Sequence, residues 1–408
     1  MRLTFMRRCL ASCLLVLIGP ILAFGSGQTE PAPAGQQAVP VVPSVDELAD
    51  MSVPAALEVL GEADVPTRIR VASELSERAI ERRDTGRAVA WAEVAADEAV
   101  EADLFQDAGR ALRRLALLQD ATGELRAGIR SAARAARAFA EAGDVEAELE
   151  AMSVQANIEH RLGVLVDGIE TASRIIARFE EYPVSEQFMA DVLSNAAMMH
   201  FKIGRLEAVP SLLEQASSLY ETIGDDDGLG TVYRIWGNYM GARSEPQQAI
   251  LYYERAADRY RQTGNVFDAA NVYFNTALML MQVEEFEASV LAFEEAITGF
   301  SQAGSASGTG MAATELTVAL WELERYEEAE RTIQQAIVML EASQSLRRLA
   351  RAYSILGTMF GARGSDAQAL AQLERARDLY DELGLATDAL RIQQEMRRLQ
   401  PERRNGGI

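Results

Sequence analysis

Phe286-Glu287-Ala288-Ser289 and, 40 residues later, Tyr326-Glu327-Glu328-Ala329 are one four-residue step written twice. Each runs from an aromatic ring through glutamate to a small residue. In each, a second small residue follows seven positions on, Ala296 and Ala336. The same pair recurs as Ala249 and Ala256, and as Ala369 and Ala376. Further back it is Val209 and Ala216, then Gly128 and Ala135, with a degenerate copy at Gly168 and Ile175. The first members are Gly128, Gly168, Val209, Ala249, Ser289, Ala329 and Ala369, in steps of 40, 41, 40, 40, 40 and 40. Such regularity marks internal repetition, and a weaker eighth copy starts at Ala92 and Ala99.

Each period reads as two helices. Small residues seven apart share one stripe of a helix, two turns from each other, where they let another helix approach closely. A large apolar residue sits four after the first small one, as Tyr253, Phe293, Ile333 and Leu373. The other helix carries its own knobs, Tyr233, Trp236, Gly237 and Met240, or Tyr353, Leu356, Gly357 and Phe360. Five residues before the first small marker stand Gly123, Gly163, Gly204, Ser244 and Gly364, in a slot suited to a left-handed helix cap. A second turn, Gly143-Asp144, Gly224-Asp225, Gly264-Asn265 or Gly384, separates the periods. One helix pair cannot bury its apolar stripe, whereas stacked pairs bury a continuous core.

These knobs, the Tyr-x-x-Ala step and the paired small residues resemble the tetratricopeptide repeat family over Ala102 to Gln400, and more weakly back to Pro66. The family's commonest period is about 34 residues. The longer period here is similar to the subclass of kinesin light chains and large bacterial regulators, and the family's closing proline is missing. The resemblance implies an all-α fold, a right-handed solenoid of stacked antiparallel helix pairs with about seven or eight repeats. Residues 44–101 are expected to hold N-terminal helices and a weak first repeat, and residues 102–382 the main array. Residues 383–400 supply a capping helix, in which Leu390, Ile392 and Met396 alternate with Arg391, Arg397 and Arg398. Residues 401–408 are a polar tail.

Composition agrees with packed helices. Apolar residues make 49% of the chain and charged ones 25%, which is globular, while only 7% is aromatic, too little for a β sandwich. The formal charge of −22 opposes phosphate backbones, so a nucleic-acid partner is not expected. Residues 1–25 read as a secretory signal peptide: Arg2, Arg7 and Arg8, then an apolar run from Cys9 to Phe24, with small residues near Ala23 and Gly25. Residues 26–43, rich in Gly, Gln, Pro and Ala, are a flexible spacer. The expected location is periplasmic or extracellular, with no membrane insertion after cleavage. The alternative is an inner-membrane anchor through an uncleaved signal. Both cysteines, Cys9 and Cys13, lie in the leader, and two histidines remain elsewhere, so cofactor and metal are both read as none. No phosphate loop, zinc-protease or nucleophile-elbow motif occurs, and the chain reads as no enzyme. His160 and His200, 40 apart, are taken to occupy nearly equivalent positions.

In the resembled family, ligands lie on a concave groove lined by the first helix of each repeat. Carrying that register over marks Arg113, Asn157, Arg161, Asn195, Lys202, Arg234, Asn238, Asn275 and Arg351 as a peptide-binding groove. Asn195 and Asn275 match the slot whose amide bonds a peptide backbone. Basic groups outnumber acids among these positions in an acidic chain, which points to an acidic or C-terminal protein segment as the partner. The expected function is a protein- or peptide-binding adaptor of a bacterial cell envelope. The alternatives are a small-ligand or glycan sensor and a self-associating solenoid. Sequence leaves the oligomeric state open. Export is expected to remove the leader near Gly25. Mass spectrometry of the exported protein then shows a species without Cys9 and Cys13, and a species that keeps both identifies the anchor.

Overall fold

The computed structural model describes residues 43–179, 181–182 and 184–399. The leader 1–25, all but the last residue of the spacer, and the tail 401–408 lie outside the described residues. Those described form nineteen α-helices and one short 3-10 helix, Leu206–Ala208. Two short helices lead, α1 (Val45–Ala49) and α2 (Val53–Leu60). Antiparallel pairs follow: α3 (Val65–Glu81) with α4 (Thr85–Glu101), α5 (Phe105–Thr122) with α6 (Leu125–Glu141), α7 (Val145–Leu162) with α8 (Leu165–Phe179), and α9 (Glu186–Lys202) with α10 (Val209–Ile223). Next come α11 (Asp226–Ala242) with α12 (Pro246–Thr263), and α13 (Val266–Gln282) with α14 (Phe286–Gln302). The last pairs are α15 (Ala306–Glu322) with α16 (Tyr326–Ala342) and α17 (Leu346–Ala362) with α18 (Asp366–Glu382), before the single helix α19 (Ala386–Leu399). First helices therefore start one sequence period apart, except that one extra residue separates the starts of α7 and α9. The chain divides into two compact units, and the described parts of these are residues 43–219 and 220–399.

The turns explain the spacing. Helices such as α3, α4, α6, α14 and α16 each run 17 residues, and turns of two or three residues join most neighbouring helices. At Asp225 the backbone N–H bonds back to Tyr220 O at 3.0 Å, closing one helix, while the side chain accepts Gly228 N–H at 3.0 Å, opening the next. Asp144 does the same between Phe139 O (2.9 Å) and Ala147 N–H (3.1 Å), and Asn265 between Tyr260 O (2.8 Å) and Asp268 N–H (3.4 Å). The residue before each of these is left-handed, for example Gly224 at φ 71° and Gly264 at φ 72°. Ser44 and Glu47 form a reciprocal capping box at α1, with Glu47 Oε2 2.8 Å from Ser44 N.

The small markers sit at the tightest contacts. Ala249, Ala256, Ser289, Ala296, Ala329, Ala336, Ala369 and Ala376 are all fully buried. The large residues between them, Tyr253, Phe293, Ile333 and Leu373, are buried beside them. A glycine on a first helix commonly faces a ring on a second helix. A Cβ at Gly237 would run into the Tyr253 ring, and one at Gly230 would lie 2.8 Å from that of Tyr260. Each position therefore admits the ring only because it has no side chain. In the terminal helix α19, Ala389, Ile392 and Met396 face inward while Leu390 stays exposed.

Ala256→Glu or Ala336→Glu is expected to lower stability by several kcal/mol, since each buries an unpaired carboxylate in a filled contact. Gly237→Ala is expected to cost about 1–3 kcal/mol by overpacking, and exposed Glu254→Gln to stay within about 0.5 kcal/mol. Thermal melts check the order, and equal melting temperatures would contradict the packing register.

Candidate functional site

The face to test is formed by the first helices. Positions 9, 10 and 13 of one such helix meet positions 6 and 10 of the next, and side chains there bond across the gap. In residues 43–219, Arg114 pairs with Glu77, and Arg113 with Glu150. Asn195 Nδ2 donates to Asn157 Oδ1 at 3.0 Å. Near the C-terminal ends of the same helices Arg161 pairs with Asp120, and Lys202 Nζ lies 2.7 Å from His160 Nε2. Cations there also face the partial negative charge of the helix C-termini. In residues 220–399, Arg351 grips Glu315 with two bonds of 2.7 and 3.0 Å, and Thr358 donates to Glu395. Arg113, Asn157, Arg161, Asn195, Lys202 and Arg351 are thus engaged with neighbouring side chains. Sequence reasoning placed them on one face without foreseeing that they would satisfy each other.

Among the described residues this lacing is absent between α11 and α13, and again between α13 and α15. Asn238 and Asn275 hold the positions that Asn157 and Asn195 hold in α7 and α9, yet they make no bond to each other. Asn238 Oδ1 instead accepts the hydroxyl of Tyr253 at 2.8 Å, with the amide oriented as the hydrogen-bond network assigns it. Its two N–H donors and the whole Asn275 amide are left without a partner among the described residues. Half-buried Arg234 lies between Thr231 and Asn238 on one stripe of α11. Its Nε is shielded from solvent without a hydrogen-bond partner, and it forms no ion pair among the described residues. On either side stand two tyrosines. Tyr260 shares a hydrogen bond with Thr231 at 3.0 Å. Burial pushes both phenols above the ordinary tyrosine range. The Arg234 charge opposes that push at both, and its hydrogen-bonding to Tyr260 adds to the opposition there. Lys202 and Arg234 fall in different units, as do Asn195 and Asn275.

The histidines need a correction. Because of the extra residue between the starts of α7 and α9, His200 occupies the position of Glu159, not of His160. His200 Nδ1 is buried without a hydrogen-bond partner. Burial, then the charge of Arg205, lowers the His200 pKa, and burial, then Lys202, lowers that of His160. Buried Glu159 accepts from Gln155 Nε2 at 2.7 Å and Thr171 Oγ1 at 3.0 Å, and burial raises its pKa. An opening of about 250 Å³ beside it is lined by Gln155, Glu159, Asp167, Glu170, Thr171 and Arg174. Among the described residues no His, Cys, Asp or Glu groups assemble as a metal-binding set, and no helix is long and apolar enough to cross a membrane.

The family model of soluble NSF attachment protein, SNAP, matches residues 171–304. No curated protein matches the chain. Among solved structures the chain is similar to the apo form of the quorum sensor NprR from B. thuringiensis, at 14% identity and TM-score 0.58, covering 82% of this chain and 97% of that one. It is similar to the signal-transduction ATPase PH0952 from Pyrococcus horikoshii, which has a tetratricopeptide repeat sensor, at 15% identity and TM-score 0.58. There the match covers 83% of this chain and 54% of that one. A Rap protein complexed with Competence and Sporulation Factor matches at 14% identity and TM-score 0.48, over 82% of this chain and 97% of that one. The repeats are TPR-like in fold.

Both imidazoles hold fewer protons folded than unfolded. Their contribution to stability is complete above the ordinary value of 6.5 and is lost as pH falls through the depressed values. Glu159 acts in the opposite sense, favouring the fold below 4.5 and losing that contribution as pH rises through its raised value. His160→Gln with His200→Gln is expected to flatten the fall in melting temperature below 6.5. An unchanged pH profile in that variant would contradict the assignment.

Proposed function

We propose that this chain is a non-enzymatic scaffold that binds a protein or peptide segment along its first-helix face and works in a bacterial cell envelope. One observation carries the binding reading. On a face where many polar side chains pair with each other, Asn238 and Asn275 keep open amide donors. An extended backbone presents a row of carbonyl acceptors that such amides can hold. Within each unit the repeats supply a support, because successive helices there pack on one another. NprR is a quorum sensor and PH0952 carries a repeat sensor, and likeness to them supports the fold that such a role uses. The envelope reading rests on the Arg-led apolar leader and on a chain without cysteine after Cys13. The regular step of the first helices supports placing the repeats in the longer-period subclass.

Peptides selected from a random displayed library on the chain test the reading. A photo-cross-linking residue at Met311, on the first-helix face of α15, is expected to capture them. The same residue at exposed Leu291 on the second helix α14 is expected not to. Capture at Leu291 alone, or a library that yields no binders, would overturn the proposal.

A further inference from the structure

We infer that copies of this chain join end to end: the acidic outer face of α2 in one copy seats on the basic outer face of α19 in another. The two ends of the sequence differ in the sign of their charge. Residues 44–67 hold six acids and no base. Residues 386–404 hold five arginines against three acids, in a chain where acids lead 61 to 39. Each segment caps helices within its own unit. In residues 43–219, Leu48 of α1 with Ala56 and Leu60 of α2 are buried in one cluster with Leu75 of α3 and Trp91 of α4. In residues 220–399, Ala389, Ile392 and Met396 of α19 are buried with Leu373 and Tyr380 of α18. A cap needs a polar outer face to keep a repeat array soluble. Solubility does not require opposite signs on the two caps.

The outer faces match in more than sign. On α2, Ala55, Glu58 and Val59 form one exposed stripe that continues to Glu62 just beyond the helix. Asp46 and Asp50 of α1 are answered within the chain by Arg78 and Arg82, which leaves Glu58 and Glu62 as the carboxylates of this face. On α19 the exposed stripe is Leu390, Gln394, Arg397 and Arg398. Its acids are turned to other groups, Asp388 to Arg391 and Glu395 to Thr358. Helix α19 starts 40 residues after α17, in the register of a first helix. On α17, buried Gly357 lies against Leu373 of the second helix α18. The equivalent residue of α19 is exposed Arg397, and among the described residues no second helix follows to cover it. A helix seated there must bring carboxylates, and α2 of another copy brings two beside an apolar Val59 that faces Leu390. The apolar contact sheds water while the charges select the partner and its register. Elsewhere the acidic surfaces of two copies repel each other, which confines their approach to the ends. The two faces differ, so the contact is heterologous and each copy can take one neighbour at each end.

Sedimentation of the full chain at low ionic strength tests the inference. Its mass is expected to rise with protein concentration and to fall back when salt is added. Arg397→Glu with Arg398→Glu is expected to weaken association about tenfold or more, since it sets like charges against each other. Glu58→Arg with Glu62→Arg is expected to do the same. An equal mixture of these two variants is expected to associate again, because each then meets a complementary face on the other. That rescue separates end-to-end joining from every other contact. Melting temperatures of both variants are expected to stay near that of the parent, since all four residues are exposed. Three outcomes would each overturn the inference. The chain stays monomeric at every concentration, it associates indifferently to the reversals, as contacts through the apolar leader would, or the mixture associates no more than its parts.

Discussion

The short turn between helices needs one residue with positive φ, and in the described chain such residues fall every twenty positions. They run from Arg83, Asp103 and Gly123 to Gly163, and from Gly204 and Gly224 to Gly384, with one step of 41 between the two runs. The turn closes one helix with a backbone bond that reaches five residues back and opens the next at the following residue. It therefore fixes helix length at about four and a half turns. Equal lengths bring the same position of each first helix to the same level in the next pair. Without that, Asn195 would not meet Asn157, nor Arg351 meet Glu315. Six of the left-handed residues are not glycine: Arg83, Asp103, Ser244, Glu284, Glu324 and Gln344. Each costs about 1 kcal/mol or more in backbone strain. Their presence shows that packing on both flanks dictates the turn even where the sequence resists it.

Packing between the two helices of a pair then decides which polar groups reach the first-helix face. Gly237 lies against Tyr253 and Gly230 against Tyr260. Both contacts belong to a single antiparallel register, since a step of seven on α11 is matched by a step of seven back along α12. Once the rings are seated, their hydroxyls emerge beside Thr231 and Asn238. The stripe Thr231, Arg234, Asn238 is thus organised from behind by the core. The same stripe in α7 has no buried tyrosine behind it, and there Asn157 turns to Asn195 instead. A pair of asparagines in equivalent slots is closed in one unit and open in the other because of what the second helix places beneath them.

Much of the fold was legible in sequence because its cause is local. A small residue at Ala249 or Ala336 is read directly as a close helix contact, and a glycine at Gly123 as a left-handed cap. The non-glycine caps Glu284 and Glu324 gave no such signal, because the strain they carry is offset by tertiary packing. The one longer step hid a change of register. It lies between α7 and α9, so His160 and His200, one ordinary period apart, are displaced by one position there. The face was legible as a set of positions. The pairing within it was not, because whether Arg113 meets Glu150 or stands open depends on partners a full period away along the chain. No motif records that the acid opposite Arg234 is missing.

That missing acid is the most informative feature of the face. In a chain of net charge −22 many arginines of the described residues hold a carboxylate, while others, Arg348 on α17 among them, hold none. The first-helix stripes show this, with Glu77, Glu150, Glu315 and Glu395 each taking a donor from a neighbouring helix. Arg234 holds in α11 the position that Arg113 holds in α5. Placing a glutamate at Asn271, the position of Glu150 in α7, would therefore close Arg234 as Glu150 closes Arg113. The chain instead carries amides at Asn271 and Asn275, and neither neutralises the guanidinium. A purely structural face gains nothing from that choice, since an ion pair spanning α11 and α13 would remove a partly desolvated charge.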